Sequence, residues 1–308
     1  MYLLFKTSKI IRLKNMTRLP YLVNVPPFLI RDLNQKNLSL SKKIFLIFYG
    51  KFIGFFINRL NGKNFCLFIN IFFNKDGKLI FENGRYVKII ENKNVAVYPN
   101  KRVLRVVKNF KYQLDLLYDS YLLNSIDIQN DDVIVDCGAN VGELFLAVKE
   151  KNLDVTYMGF EPDKETYECL KLNVKNEKNI VHNIGLSNIE GSNNFYIDNE
   201  GGNSSFVDFG TSESIKVDTK TLDSYNIKKN IKLFKIDAEG YEPEVLSGSK
   251  NTLKKTNFVS VDFGSERGAN QNNTMVDVNN LLLQVGFELI ELNDFRMIGL
   301  YKNKNYEN

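Results

Sequence analysis

Beyond residue 130 the chain alternates short apolar runs with longer stretches whose apolar residues recur at helical spacing. The short runs predict seven strands: DVIVDCG, VTYMGFEP, NIVHNIGLS, IKLFKIDAEG, FVSVDFG, GFELIELN and RMIGLYK. Helices are predicted between most of them, at GELFLAVKEKN, DKETYECLKLNVKNE, EPEVLSGSKNTLKK and NTMVDVNNLLLQVG. This alternation is typical of an α/β fold with an open, mostly parallel sheet and helices on both faces. Because only LNDF separates the last two strands, we expect them to form a C-terminal antiparallel hairpin.

The N-terminal part of the chain has a different pattern. Residues 44–58 are mostly apolar, which predicts a helix within KKIFLIFYGKFIGFFINRL. Between residues 75 and 107, polar and apolar residues alternate around DG and NG, the signals of hairpin turns, so we expect a small antiparallel sheet. A further helix is predicted near YQLDLLYDSYLLN. We therefore predict a helical and β-hairpin extension at residues 1–125 and a second domain at residues 126–308.

Charge divides the chain at nearly the same place. Residues 1–130 carry 22 Lys+Arg and 7 Asp+Glu, whereas residues 131–308 carry 19 and 29. The basic segment is expected to face something acidic. Its apolar run is shorter than the roughly 20 residues that span a bilayer. Two interpretations remain: residues 1–60 contact an anionic membrane surface, or the helix packs on the rest of the protein with its basic ends solvated. No nucleic-acid partner is expected, because no reading motif accompanies the basic residues.

Cysteine and histidine are scarce. The three cysteines have no paired spacing and there is one histidine, so we expect neither a disulfide framework nor a zinc or multi-histidine metal centre, and no metal ligands are assigned. The N-terminal run MYLLFKTSKIIRLK is interrupted by charges and does not resemble a signal peptide. A cytoplasmic protein is therefore expected. The basic segment also allows peripheral contact with the inner face of the membrane.

The first predicted strand of the second domain ends in a candidate ligand loop, DCGANVGELF. Gly138 would permit a tight turn after Asp136, and Gly142 would start the following helix close to a ligand. The dinucleotide fingerprint does not fit, because Asn140 stands where that motif has its second glycine. Glu161 ends the second strand and could accept hydrogen bonds from ribose hydroxyls. These residues indicate a nucleoside ligand, although a helix-capping Asp136 and a solvated Glu161 would give the same pattern.

A third strand, in LFKIDAEGYEPEVLSG, delivers Asp237 and Glu239 to the same edge of the sheet. Together with VDCGANVG, FEPDKETYECLKLNV, NIGLSN, VDTKTLDS and VSVDFGSERG, this block resembles the FkbM family of S-adenosylmethionine-dependent methyltransferases. The resemblance extends in order from about residue 131 to residue 300. It implies the Rossmann-like class I methyltransferase fold, S-adenosyl-L-methionine as cofactor, and usually O-methylation of a sugar or a related hydroxyl.

The same resemblance assigns roles to individual residues. It places Asp136, Gly138, Asn140 and Gly142 around the methionine end of the cofactor, Glu161 at the ribose, and Leu186 and Ser187 beside the adenine. Asp237, Glu239 and Asp262 are the candidate catalytic residues. The candidate acceptor-binding residues are Glu242, Glu266 and Arg267, with Glu242 also expected to cap its helix and Arg267 expected to pair with Asp262.

The acidic residues at this edge have three possible roles. A sugar hydroxyl is a poor nucleophile at neutral pH, so Asp237 or Glu239 could act as a general base. Neighbouring carboxylates raise one another's pKa, which suits a base, but they could also hold a divalent ion or only position the acceptor.

The predicted function is O-methylation of a sugar hydroxyl in a surface polysaccharide or in its nucleotide- or lipid-linked precursor, with S-adenosylmethionine as the methyl donor. The alternatives are a nicotinamide-dependent oxidoreductase on a related fold, which the glycine spacing disfavours, and a non-catalytic nucleoside-binding module.

Overall fold

A computed structural model describes residues 22, 25–34, 37–198, 204–211, 213–294 and 296–306. The chain divides into two compact units, Met1–Phe110 and Lys111–Asn308. This division describes only which parts of the chain are compact. It does not test the predicted domain at residues 126–308, which stays a prediction. Among the described residues, no helix combines the length and the apolar character needed to cross a membrane.

The first unit contains the predicted antiparallel sheet. Its strands pair in the order β1-β2-β3 and span Lys78–Glu82, Arg85–Ile90 and Lys93–Tyr98. The NG signal forms the first hairpin turn, because Asn83 and Gly84 both have positive φ, as a two-residue type I′ turn requires. The DG signal was misread as a hairpin turn: Asp76 lies before β1, where its carboxylate accepts the backbone N–H of Phe110.

The α-helices in the described part of this unit are α1 (Pro27–Ile30), α2 (Leu40–Arg59) and α3 (Gly62–Phe72). Helix α2 is the predicted apolar helix, and the Ser39 hydroxyl caps it by accepting the backbone N–H of Lys42. The sequence did not indicate α3. Its buried side chains, Phe65, Cys66 and Ile69, have the spacing of one helical face. The helix was not predicted because the neighbouring residues are also apolar and obscure this spacing.

The second unit is built on a seven-stranded sheet with the strand order β12-β13-β11-β10-β4-β5-β6. All neighbours are parallel except β13, which runs antiparallel to both β11 and β12. The strands are β4 (Val133–Cys137), β5 (Thr156–Phe160), β6 (Ile180–His182), β10 (Ile231–Ile236), β11 (Thr256–Asp262), β12 (Phe287–Asn293) and β13 (Ile298–Asn303). The predicted fold, including its reversed C-terminal hairpin, is confirmed.

The predicted third strand of this domain is divided between two sheets. Only Ile180–His182 joins the main sheet, whereas β7 (Gly185–Leu186) pairs with β9 (Ser214–Lys220), which in turn pairs with β8 (Gly191–Tyr196). Asn183 lies at the break, where its side-chain amide donates to the backbone carbonyls of Glu161 and Pro162. Hydrogen bonding of this kind competes with the strand ladder and ends it.

Helices precede and connect the strands of the main sheet where the sequence predicted them, although the stretch EPEVLSGSKNTLKK forms two helices instead of one. They are α4 (Phe110–Ser120), α5 (Glu143–Glu150), α6 (Lys164–Asn173), α7 (Glu242–Ser247), α8 (Lys250–Leu253) and α9 (Met275–Gln284). The chain goes from β4 to β5 on one side of the sheet and from β10 to β11 on the other. The strand order therefore reverses between β4 and β10, and in open α/β sheets ligands bind at the carboxyl ends of the strands beside such a point.

Candidate active site

The loop after β4 is shaped by residues with left-handed backbone. Gly138, Asn140 and Gly142 have φ values of 69°, 50° and 87°. A Cβ atom at Gly138 would lie 1.9 Å from the carbonyl oxygen of Asp237, so only glycine lets the ends of β4 and β10 approach this closely. Helix α5 begins at Glu143, directly after the loop.

The backbone N–H groups of this loop are already used within the protein. Gly138 and Ala139 donate to the carbonyl of Phe160, Gly142 donates to the carbonyl of Ala139, and Asn140 donates to Glu161 at 2.8 Å. The N–H of Val141 is bound by the side chain of Asn140. A dinucleotide site needs free N–H groups in this loop to hold a pyrophosphate. The loop is thus preformed for a ligand other than a pyrophosphate.

Glu161 fixes the end of β5 to this loop. Its two carboxylate oxygens accept the backbone N–H groups of Asn140 at 2.8 Å and Asp163 at 2.9 Å. Burial raises the pKa of Glu161 to about 7, with a smaller contribution from Asp163, while the two N–H groups and Lys235 oppose the rise. Each oxygen keeps a lone pair, so the carboxylate can still accept hydrogen bonds from vicinal hydroxyls.

A buried ion pair lies beneath the loop. Lys235 Nζ is 3.0 Å from Asp136 Oδ1 and donates to the backbone carbonyls of Cys137 and Gly138. The Tyr157 hydroxyl donates to the other carboxylate oxygen of Asp136 at 2.5 Å. Burial alone would lower the pKa of Lys235, but Asp136 raises it above its usual range and keeps the ammonium charged. Asp136 is fully buried, so its carboxylate supports the loop from within; contact with a ligand remains a prediction.

Sequence reasoning gave Lys235 no role, although a signal was present. A lysine within a buried strand is rare unless it is paired. Lys235 and Asp136 are register partners on the adjacent parallel strands β10 and β4, so the carboxylate lies directly across from the ammonium.

Four acidic side chains surround the carboxyl ends of β10 and β11. Carboxylate oxygens of Asp237, Glu239 and Glu266 lie within 4.8 Å of one another. Asp262 adjoins them through Arg296, whose guanidinium is 2.9 Å from Asp262 and 4.0 Å from Asp237. The structure thus brings together three predicted site residues and places a fourth beside them. A divalent ion is chemically compatible with this spacing, and that alternative stays untested.

Crowding changes the protonation of this cluster. Burial, and then the charges of Glu266 and Asp237, raise the pKa of Glu239 well above its usual range. Burial and Asp237 likewise raise the pKa of Asp262, against the opposing effect of Arg296. Like charges this close do not all ionise together, so the cluster retains a proton near neutral pH.

Tyr121 and Arg296 complete the cluster, and sequence reasoning missed both. The Tyr121 hydroxyl donates to Asp237, and its ring lies 5.2 Å from Lys235 Nζ and 5.0 Å from the Arg296 guanidinium. Tyr121 follows α4 in a segment predicted to belong to the N-terminal extension. Arg296 lies on the turn between β12 and β13, where no local pattern marks a functional residue.

Two of the residues assigned to the acceptor side bind other parts of the protein; the contacts of Glu242 agree with its predicted capping role, and its contact with an acceptor stays a prediction. Glu242 is 1% exposed, and its carboxylate accepts the N–H groups of Ala238 and Gly240 and the hydroxyl of Thr274, so it braces the turn and the helix start. Arg267 does not pair with Asp262. Its guanidinium forms a two-pronged ion pair with Glu244, with N–O distances of 2.9 and 2.6 Å.

The predicted adenine residues lie at the end of β7 and directly after it. Leu186 is buried in the hydrophobic core. The Ser187 hydroxyl is 3.1 Å from the hydroxyl of Tyr241 and accepts the backbone N–H of Ile189. Their contact with an adenine remains a prediction.

This geometry fits the cofactor that the sequence predicted. Gly138 lets the loop approach the end of β10, and Glu161 offers buried acceptor oxygens to a ribose. The lack of free N–H groups in the loop also argues against the dinucleotide alternative.

Comparison with known proteins supports the same conclusion. A hexuronic acid methyltransferase, AglP of Haloferax volcanii, is 29% identical over 143 residues, which cover 44% of this chain and 58% of AglP. The chain thus matches little more than half of that relative's length. Among solved structures, a TehB-like SAM-dependent methyltransferase of Corynebacterium glutamicum has a TM-score of 0.36 at 12% identity, covering 61% of this chain and 89% of that one.

A fibrillarin pre-rRNA processing protein of Methanococcus jannaschii gives a TM-score of 0.39 at 10% identity, covering 71% of this chain and 89% of that one. These TM-scores are low, so the fold assignment rests on the strand order of the sheet. The profile of the methyltransferase FkbM domain matches residues 136–289, half of the chain, from the buried aspartate of β4 into β12. The chain therefore belongs to the FkbM methyltransferase family, whose members take their methyl group from S-adenosylmethionine.

Proposed function

We propose that this protein methylates a sugar hydroxyl, in a glycan or in its nucleotide- or lipid-linked precursor. The observation that carries the proposal is the acidic cluster of Asp237, Glu239 and Glu266 at the carboxyl ends of the strands, next to the glycine loop. Carboxylates are the acceptors that hydroxyl groups need. The sugar substrate in the name of the archaeal relative supports this acceptor class.

The chain's own residues would hold S-adenosylmethionine through the loop at Gly138–Gly142 and through Glu161. When bound, the cofactor supplies a methyl group that the sulfonium charge already activates. The protein then has to align the acceptor oxygen with that methyl group and exclude water.

Two of the carboxyl groups in the cluster, those of Asp237 and Glu239, lie in different environments, and this difference suits them to different roles. Asp237, whose side chain is 17% exposed, accepts a hydrogen bond from the Tyr121 hydroxyl and lies 4.0 Å from the Arg296 guanidinium. Glu239 retains its proton because burial and Glu266 raise its pKa. In this proposal Asp237 takes the proton of the acceptor hydroxyl while the O–CH3 bond forms and the S–CH3 bond breaks. Glu239 and Glu266 position the acceptor by hydrogen bonding.

Cofactor binding is the first prediction. We expect the Glu161→Ala variant to bind S-adenosylhomocysteine at least about tenfold more weakly than the parent protein, because it loses the acceptor for the ribose hydroxyls (roughly 1.4 kcal/mol). Isothermal titration calorimetry measures the affinity. Glu168→Ala is the matched control, since Glu168 lies on the exposed side of α6 and pairs only with Lys171 among the described contacts. Binding of NADH, without binding of S-adenosylhomocysteine, would contradict the proposal.

The pKa of Glu161 leads to a second prediction. Below its pKa of about 7 the carboxyl group is protonated and becomes a poorer acceptor for ribose hydroxyls. We therefore expect the affinity for S-adenosylhomocysteine to fall by about tenfold when the pH is lowered from about 8 to about 6. Titrations across this range should show a flatter profile for Glu161→Gln. An equally steep profile in that variant would assign the pH effect to another group.

The acceptor class is tested by turnover. The protein and S-adenosylmethionine are incubated with uronic acids, neutral sugars and nucleotide sugars, and the products are analysed for S-adenosylhomocysteine and for a mass increase of one methyl replacing one hydrogen. Methylation of a sugar supports the proposal. If methyl groups are transferred to amines or carboxylates but not to sugar hydroxyls, the protein is a methyltransferase and the proposed sugar acceptor is wrong.

A further inference from the structure

The two long helices of the first unit expose an unusual amount of apolar surface. Phe45, Phe48, Phe52 and Phe55 of α2 are between 47% and 68% exposed. Their spacing of three, four and three residues places them on one face of the helix. Phe72 of α3 extends this surface, with its ring 6.0 Å from that of Phe52. These five phenylalanines are called the aromatic face below.

Helix α2 is apolar on two sides. Gly50, Ile53 and Ile57 are buried and lie on the side of the helix opposite to the aromatic face. The helix therefore already has the core-facing side that its stability requires, and the aromatic face is additional. Contiguous exposed apolar surface on this scale marks an interaction site.

The charged residues in the segment that carries the aromatic face are all positive. Residues 33–75 contain seven Lys or Arg and no Asp or Glu. Lys51 lies within α2 beside the aromatic face, and Arg59 stacks its guanidinium 3.8 Å from the ring centre of Phe55. An apolar helix face flanked by cations is the pattern of helices that lie in the interface of an anionic membrane.

We propose that the aromatic face docks on a membrane surface that contains anionic lipids, with the phenylalanines entering the boundary between headgroups and acyl chains. This inference goes beyond the proposed function and does not depend on it. Because the rings lie along one face of α2, the helix would dock parallel to the surface.

Two other occupants fit less well. In a two-fold dimer through this face, Lys51 and Arg59 would meet their copies without any acidic partner, which is unfavourable. Single-stranded nucleic acid stacks on ring planes that are free, whereas the Arg59 guanidinium covers one face of Phe55 and Phe45 stacks on Tyr49.

Vesicle flotation of the full-length protein tests the proposal. We expect the protein to float with vesicles of phosphatidylcholine and phosphatidylglycerol, and to float less with pure phosphatidylcholine or at high salt. Replacing Phe48 by Asp should lower the bound fraction by about tenfold, because it removes the most exposed ring of the face. Lys51→Glu should weaken binding only to the anionic vesicles.

Val276→Asp is the matched control, since Val276 on α9 is 68% exposed, as is Phe48. The thermal midpoint of each variant shows that it remains folded. Equal flotation of the parent and Phe48→Asp, or no flotation with either vesicle, would overturn the proposal. The proposal would also be overturned if Phe48→Asp abolished self-association of the protein, or its binding to an oligonucleotide, while flotation stayed unchanged.

Discussion

Replacing Lys235 by methionine is expected to lower the free energy of unfolding by about 3 to 5 kcal/mol and to remove measurable binding of S-adenosylhomocysteine. The loss arises because burial raises the pKa of Asp136 and the ammonium 3.0 Å away opposes that rise, so without Lys235 the carboxyl group must either stay charged without a partner or take up a proton. The carbonyls of Cys137 and Gly138 would also lose their donor at the point where the ligand loop begins. Urea denaturation and calorimetric titration measure the two effects.

Two further variants separate this role from a general effect of losing a lysine. Lys232→Met changes the same residue type on the same strand, where the side chain is partly exposed, and should alter stability by less than about 1 kcal/mol. The double variant Lys235→Met with Asp136→Asn should be more stable than Lys235→Met alone, because it leaves no uncompensated buried charge. Equal stability of the Lys232 and Lys235 variants would show that the pair is not needed.

The parts of the site that the sequence predicted correctly are local. The loop after β4 is recognisable because an apolar strand, two glycines and a helix follow one another within sixteen residues, DDVIVDCGANVGELFL. Each of these signals depends on backbone geometry, which neighbouring residues determine. Asp237 and Glu239 were predictable for the same reason, since the carboxyl ends of parallel strands share one edge of the sheet.

The missed residues act through contacts between distant parts of the chain. Tyr121 is 116 positions from Asp237 in the sequence, and Arg296 reaches the site only because β13 is inserted between β11 and β12. No periodicity encodes such a contact. Arg267 shows the converse problem: its sequence neighbours suggested Asp262 as a partner, but the fold brings it to Glu244.

The small sheet of β7, β9 and β8 was missed for a different reason. Strand β8, GSNNFY, is mostly polar, and β9, SIKVDTK, buries only two of its seven residues. Strands with so little apolar alternation give a weak signal, and their pairing depends on the neighbouring strand. Glu242 is different, because its place at the start of α7 favours bonding to nearby N–H groups, and the expected capping role agrees with its contacts.

The chemical step offers the second large effect. Replacing Asp237 by asparagine is expected to lower kcat by about 10²- to 10⁴-fold with little change in the KM for S-adenosylmethionine. Asparagine keeps the shape of the side chain and an oxygen that can accept the Tyr121 hydroxyl, so the variant removes mainly the capacity to take a proton. Initial rates with the sugar acceptor found by the turnover screen measure the effect.

Comparison variants assign the role of each group in the cluster. Tyr121→Phe should lower kcat by about tenfold, because Asp237 then loses one donor but keeps the Arg296 charge 4.0 Å away. Tyr118→Phe, on α4 and outside the cluster, is its control. Glu239→Gln should raise the KM for the acceptor more than it lowers kcat, since glutamine retains a donor in place of the protonated carboxyl group. If Glu239→Gln instead abolishes turnover while Asp237→Asn retains it, the base is Glu239, and the raised pKa of that side chain is the property that catalysis uses.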